Sequence, residues 1–192
     1  MSKSYSYIII ACGFVGLMAS FLLTVNIIEL TKDSSVNLPC NINPFISCTS
    51  IINSSQGNIF GFPNPLLGIA GFSFVLATGA LTLFGAVPSI KFWKIFTIGT
   101  TLAILLVHWF IYQSIFVLGS LCLYCMVTWS ATWPIFLFTI NQLFKADDSV
   151  GSPTFMRRGF QSFQKNHLAF LVSWYLLIIF LIFFRFREYF LN

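Results

Sequence analysis

Five long apolar runs restrict what this chain can fold into. They cover about Tyr7 to Leu30, Pro65 to Val87, Ile95 to Leu118, Leu121 to Phe144 and Leu168 to Phe184. Each is long enough for one helical crossing of a bilayer, which takes about 20 apolar residues. With 57% hydrophobic and 8% charged residues among 192, and a mean hydropathy of +0.87, the polar side chains are too few to cover a water-soluble globule. The first run exceeds a secretory apolar segment in length and lacks a small-x-small cleavage pattern, so it reads as an uncleaved span. The expected fold is an all-α membrane protein: a four-helix transmembrane bundle plus a fifth transmembrane helix, in one domain over residues 1–192.

The net charge of +5 does not point to nucleic acid. The ten Lys and Arg stand singly or in pairs and form no stripe for a phosphate backbone. They report orientation instead, because basic segments resist translocation. The N-terminus and the second and fourth connectors hold Lys3, Lys91, Lys94, Lys145, Arg157, Arg158 and Lys165, and the opposite side holds Lys32, Arg185 and Arg187. This places the N-terminus in the cytoplasm and turns the polar loop 31–64 and the turn 119–121 outward. Residues 145–166, with Gly151 and Pro153, read as a linker. The many Phe residues lie mostly inside the apolar runs, where they face lipid or neighbouring helices.

Cys40 and Cys48 lie in the outward loop, and Cys122 and Cys125 follow the outward turn. Two stretches thus bring two cysteines each to one membrane face, in the compartment where disulfides persist. Cys12 lies within the first span and reads as a small buried hydrophobe. In the Cys-Leu-Tyr-Cys run, Ser120 is the expected N-cap, placing Cys122 in the first helical turn where the dipole and unpaired N–H groups favour a thiolate. Cys125 then lies about 4.5 Å deeper, at ~1.5 Å per residue. That arrangement suits passing an electron pair from an aqueous thiol to a lipophilic acceptor. Two alternatives stand beside it: a zinc site, for which the seven residues between Cys40 and Cys48 are a wide spacing, and structural disulfides that merely tie the loop down.

In this order, Cys40 and Cys48, Ser54, Gly57, Phe62-Pro63-Asn64 and Cys122-Leu123-Tyr124-Cys125 resemble the vitamin K epoxide reductase family, over the first four helices. The resemblance implies a thiol-disulfide oxidoreductase that supports disulfide formation. Cys40 would exchange with a thioredoxin-fold partner, Cys48 would pass the electrons to Cys122, and Cys125 would reduce a quinone, ubiquinone or menaquinone, held among the four helices. Ser54 would cap that site and Asn64 would hydrogen-bond a quinone oxygen; the alternative for both is turn and helix-capping chemistry. The chain departs from animal members at Asn41, where they have an acidic residue, and at Trp129, where a tyrosine would contact the quinone. An indole donates one hydrogen bond and accepts none. Bacterial relatives often continue into a thioredoxin domain; here the partner is expected to be a separate periplasmic protein. The location implied is a bacterial cytoplasmic membrane with the redox cysteines on the periplasmic side, in contact with lipid and not with nucleic acid.

Two further readings remain open, and a third is opposed by the order of the cysteines. One is epoxide reduction in the animal sense, and one is a non-enzymatic membrane scaffold with static disulfides. The other quinone-linked disulfide catalyst of bacteria has the reverse order of cysteine pairs. His108 lies about 15 Å of helix below the outer end of the third span. An ionisable residue at that depth is a candidate for a proton role or a packed, hydrogen-bonded histidine.

Overall fold

The computed structural model of the protein describes residues 3–146 and 166–191. Its helices are α1 (Lys3–Lys32), a short α2 (Cys48–Ile52), α3 (Pro65–Leu83), α4 (Ile90–Tyr112), α5 (Leu123–Ala146) and α6 (His167–Leu191). A π-helical turn, Gln113–Leu118, continues α4, and a 3-10 turn, Ser55–Asn58, follows α2. Among the described residues, five helices are long and apolar enough to cross a membrane: Tyr5–Lys32, Pro65–Leu83, Ile90–Leu118, Leu123–Lys145 and His167–Tyr189. The chain is a multi-pass, all-α membrane protein, as its apolar runs require. The sequence-predicted linker at 145–166, with Gly151, Pro153, Arg157, Arg158 and Lys165, lies almost wholly outside the described residues.

Helix ends follow capping chemistry more closely than they follow the apolar runs. The second crossing was expected to reach Val87, but α3 stops at Leu83. Gly85 adopts a left-handed φ of 92°, and Gly85 N and Ala86 N donate to the carbonyls of Thr82 and Leu81. The third was expected from Ile95, yet α4 begins at Ile90, because Ser89 accepts a hydrogen bond from Phe92 N and the charged Lys91 and Lys94 join the first turn and a half. The fifth crossing runs past Phe184 to Tyr189 and its helix α6 to Leu191, with a local break from helical angles at Phe186.

Helix α1 packs on α3 and α5, and α4 packs on α5. Small residues allow the α1–α3 approach. A side chain at Gly79 would meet Ile10 Cγ1 at 2.7 Å, and one at Gly16 would overlap the Phe72 ring. One end of the bundle is filled by Tyr5, Ile9, Phe72, Trp93 and Phe96. Large apolar side chains on the outer faces, such as Phe14, Phe21, Ile98 and Leu105, are exposed, as a lipid-facing surface demands.

Helix α6 lies at the periphery and is held by a few directed contacts. Pro134 inside α5 has no N–H to give the carbonyl of Ser130 four residues earlier. The Tyr175 hydroxyl of α6 donates to that carbonyl at 2.7 Å. Trp174 Nε1 donates to His108 Nε2 at 3.1 Å, while His108 Nδ1 is 2.7 Å from the Ile104 carbonyl. With Nε2 accepting from Trp174, Nδ1 is the nitrogen left to donate to the Ile104 carbonyl. His108 is thus packed and hydrogen-bonded on both ring nitrogens, joining α4 to α6.

Candidate functional site

Two backbone hydrogen bonds set the site in register. Leu121 N donates to Phe45 O at 2.8 Å and Ser47 N donates to Leu121 O at 2.9 Å, so the loop before α2 runs beside the segment before α5. The next residue on each segment is a cysteine. Cys48 opens α2, whose N-cap is Ser47, and Cys122 immediately precedes α5. Asn41 draws the loop closed: its Nδ2 donates to Thr49 Oγ1 at 2.8 Å and its Oδ1 accepts from Ser47 Oγ at 3.2 Å.

Cys40 and Cys48 are joined in a disulfide. Cys122 and Cys125 are free thiols, and Cys122 Sγ donates to Cys48 Sγ at 3.4 Å. Three of the four sulfurs' residues are buried: Cys40 is 1% exposed, and Cys48 and Cys122 are both 0%. They sit in an apolar cluster with Leu23 and Leu38. All four sequence-predicted cysteines thus converge at one end of the bundle, while Cys12 packs against the core cluster at the other end.

Ser120 does not cap α5, contrary to the sequence expectation. The helix starts later, at Leu123, and Cys122 supplies the first helical carbonyl, accepting from Met126 N at 3.0 Å. Ser120 Oγ is instead directed at Ser47 O, 3.5 Å away. The Cys122 thiol is held low all the same, but with a different leading cause. A hydrogen bond from Cys125 holds the Cys122 thiol below its usual value; burial opposes this, and the backbone N–H groups of Cys125 and Tyr124 add to the lowering.

Beside the cysteines a cavity of about 450 Å³ opens among α1, α3, α4 and α5. Its walls are mainly apolar, with Leu23, Phe72, Val75 and Phe96 among them. Cys125 lines it, whereas Cys40, Cys48 and Cys122 do not. Of the sequence-predicted contacts, Asn64 and Trp129 line the cavity and Ser54 does not.

Ser54 works one step back. It caps the 3-10 turn by accepting from Gly57 N at 3.2 Å and donates to Ile51 O at 2.6 Å. Gly57 in turn accepts from Asn64 N at 3.0 Å, and Asn64 Nδ2 donates to Gln56 O at 2.6 Å. A side chain at Gly57 would meet Ile51 O at 2.6 Å. The spaced motif Ser54, Gly57, Asn64 is therefore a single folded unit at the cavity's edge. Asn64 uses one amide hydrogen there and retains the other.

Sequence reasoning missed two residues. Gln113 lines the cavity with a buried side-chain oxygen that has no hydrogen-bond partner; it falls where the α-helix gives way to a π-helical turn, a change with no clear sequence signal. Asn26 donates from Nδ2 to Cys40 Sγ at 3.6 Å. An amide inside an apolar run was the available clue.

Among curated proteins, no sequence matches this chain. The family model of the vitamin K epoxide reductase family matches residues 7–140, more than two thirds of the chain, and includes all four clustered cysteines. The chain therefore belongs to the vitamin K epoxide reductase family and is a membrane oxidoreductase equipped with a disulfide and two neighbouring thiols.

Proposed function

We propose that the protein oxidises a soluble thioredoxin-fold dithiol protein and delivers the electrons to a membrane quinone, with residues 1–192 acting as one transmembrane redox domain. The observation that carries this reading is the unbroken line of sulfur. The Cys40–Cys48 disulfide touches Cys122 at 3.4 Å, and Cys125, three residues further along α5, opens onto the cavity.

The steps balance in thiols and disulfides. A partner thiolate attacks Cys40, Cys48 leaves, and the partner's second thiolate resolves the mixed disulfide, so Cys40 and Cys48 gain two electrons. Cys48 then attacks Cys122 of an oxidised inner pair and Cys125 leaves as the thiolate. Cys40 attacks Cys48, which frees Cys122 and restores the outer disulfide. The inner dithiol now holds the electron pair, and outer disulfide with inner dithiol is the state described above. A bound quinone supplies the sink for two electrons and two protons.

The cavity residues fit such a ligand. Its size lies within the range of small-molecule sites, its walls suit a lipophilic ring and tail, and Asn64 and the Trp129 indole offer donors to carbonyl oxygens. Ser54 supports the cavity edge through Gly57. Cys40 is buried in this state, so partner exchange requires the 33–47 loop to lift. The excess of Lys and Arg near Lys3, Lys91, Lys94 and Lys145 supports a cytoplasmic N-terminus and a periplasmic cysteine face in a bacterial cytoplasmic membrane.

The test is purified protein mixed with a reduced thioredoxin-fold dithiol protein and a short-chain ubiquinone or menaquinone analogue, followed by quinone absorbance. Cys125→Ala should abolish quinone reduction while a mixed disulfide with the partner remains trappable at Cys40. Undiminished turnover in that variant would sink the mechanism.

A further inference from the structure

The two sulfurs of the outer disulfide have different neighbours. Cys48 Sγ faces the Cys122 thiol at 3.4 Å, and Cys40 Sγ receives the Asn26 side-chain amide at 3.6 Å. Asn26 is 6% exposed on α1, on the face that carries the buried Leu23 and Leu30 and the part-buried Ile27, beside the apolar cluster that surrounds Cys40. Burying an amide among apolar groups is unfavourable unless it is hydrogen-bonded, and a neutral disulfide sulfur is a weak acceptor. A thiolate at the same place is a strong one, because hydrogen bonds to ionised acceptors are about twice as strong as neutral ones.

We propose that Asn26 is a catalytic residue that stabilises the Cys40 thiolate and thereby directs exchange between the pairs through Cys48. This rests on the relay described above. When the Cys122 thiolate attacks Cys48 Sγ, the Cys48–Cys122 bond forms, the Cys40–Cys48 bond breaks, and the electron pair leaves on Cys40, beside the Asn26 amide. The working direction passes through the same transition state in reverse: Cys40 attacks Cys48 and Cys122 departs. An amide donor at Cys40 and none of its kind at Cys48 gives the pair a polarity that its symmetric covalent chemistry lacks. Leaving-group and nucleophile basicity both govern thiol-disulfide exchange, so the donor acts in both directions.

The test uses the full chain carrying Cys48→Ala, purified without partner and reduced beforehand, in which Cys40 is a free thiol beside Asn26. Alkylation of Cys40 is followed by peptide mass against pH, with Cys12 on the same helix as internal reference. Adding Asn26→Leu, which keeps side-chain bulk without the donor, should raise the Cys40 midpoint by about one pH unit while Cys12 stays unchanged. Asn26→Ala, a strong helix former, provides the same loss of donor should the leucine chain not fold. Coincident Cys40 midpoints with and without the amide in a folded protein overturn the proposal. Failure of the relay itself shows separately, as quinone reduction that persists in Cys125→Ala.

Discussion

The partner must reach a disulfide that the structure covers, and the contact most exposed to perturbation is an aromatic stack. Phe45, inside the loop closed by Cys40 and Cys48, stacks on Phe186 of α6 with centroids 5.3 Å apart and lies 5.3 Å from the Tyr189 ring. Phe186 is 1% exposed, sits where α6 departs from helical angles, and has its ring against the loop. In Phe186→Ala, lipid and detergent replace part of the lost apolar contact, so only the ring–ring component is counted, about 0.5–1.5 kcal/mol. If lifting the loop breaks this contact, the open population rises roughly 2- to 12-fold by the relation between free energy and population. The assay is reduction of Cys40–Cys48 by a water-soluble phosphine, quenched by alkylation and read by mass. With reclosure faster than reduction, the observed rate tracks the open fraction. The expected result is faster reduction in Phe186→Ala, with Phe186→Leu between it and the parent. An unchanged rate in a variant whose helical circular dichroism is intact would refute the idea that α6 clasps the redox loop.

Three other outcomes are expected. Because the Cys125 hydrogen bond is the leading cause of the lowered Cys122 titration, Cys122 forms its thiolate at lower pH than an ordinary thiol. Cys125→Ala should move the alkylation midpoint of Cys122 upward, and a midpoint that stays put counts against that hydrogen bond. Trp129→Phe keeps an aromatic wall and removes the indole donor, so KM for quinone should rise about 5-fold with kcat little changed, the scale of one hydrogen bond; steady-state kinetics at varied quinone decide it. Tyr175→Phe leaves the Ser130 carbonyl without its donor beside Pro134. It should lower stability by about 1 kcal/mol in a detergent melt, and a melt identical to the parent rules out that bond as an anchor for α6.

The sequence by itself determined the solvent, the number of crossings and the candidate chemistry. Apolar length is a one-dimensional property, and a bilayer accepts helices of that length with few alternatives. The order of Cys40, Cys48, Ser54, Gly57, Asn64 and the Cys-Leu-Tyr-Cys run carried the family resemblance, which the match over residues 7–140 then established. Helix limits were less legible. Hydropathy cannot distinguish Lys91 in a connector from Lys91 in a capped first turn, and the capping preference of serine pointed to Ser120 although α5 begins at Leu123.

Only the tertiary structure decided what the four cysteines touch. Their proximity depends on two backbone bonds between Leu121 and the loop residues Phe45 and Ser47, separated by more than seventy positions and carried by side-chain-independent groups. Asn26 against Cys40 and Phe186 on Phe45 likewise join separate segments, and the placing of Gln113 at the cavity wall is also a product of the packing. Polar residues inside apolar runs can be counted in a sequence. Which sulfur, carbonyl or cavity they meet depends on helix rotation and register, and those are set by packing among α1, α3, α4 and α5 rather than by any local pattern.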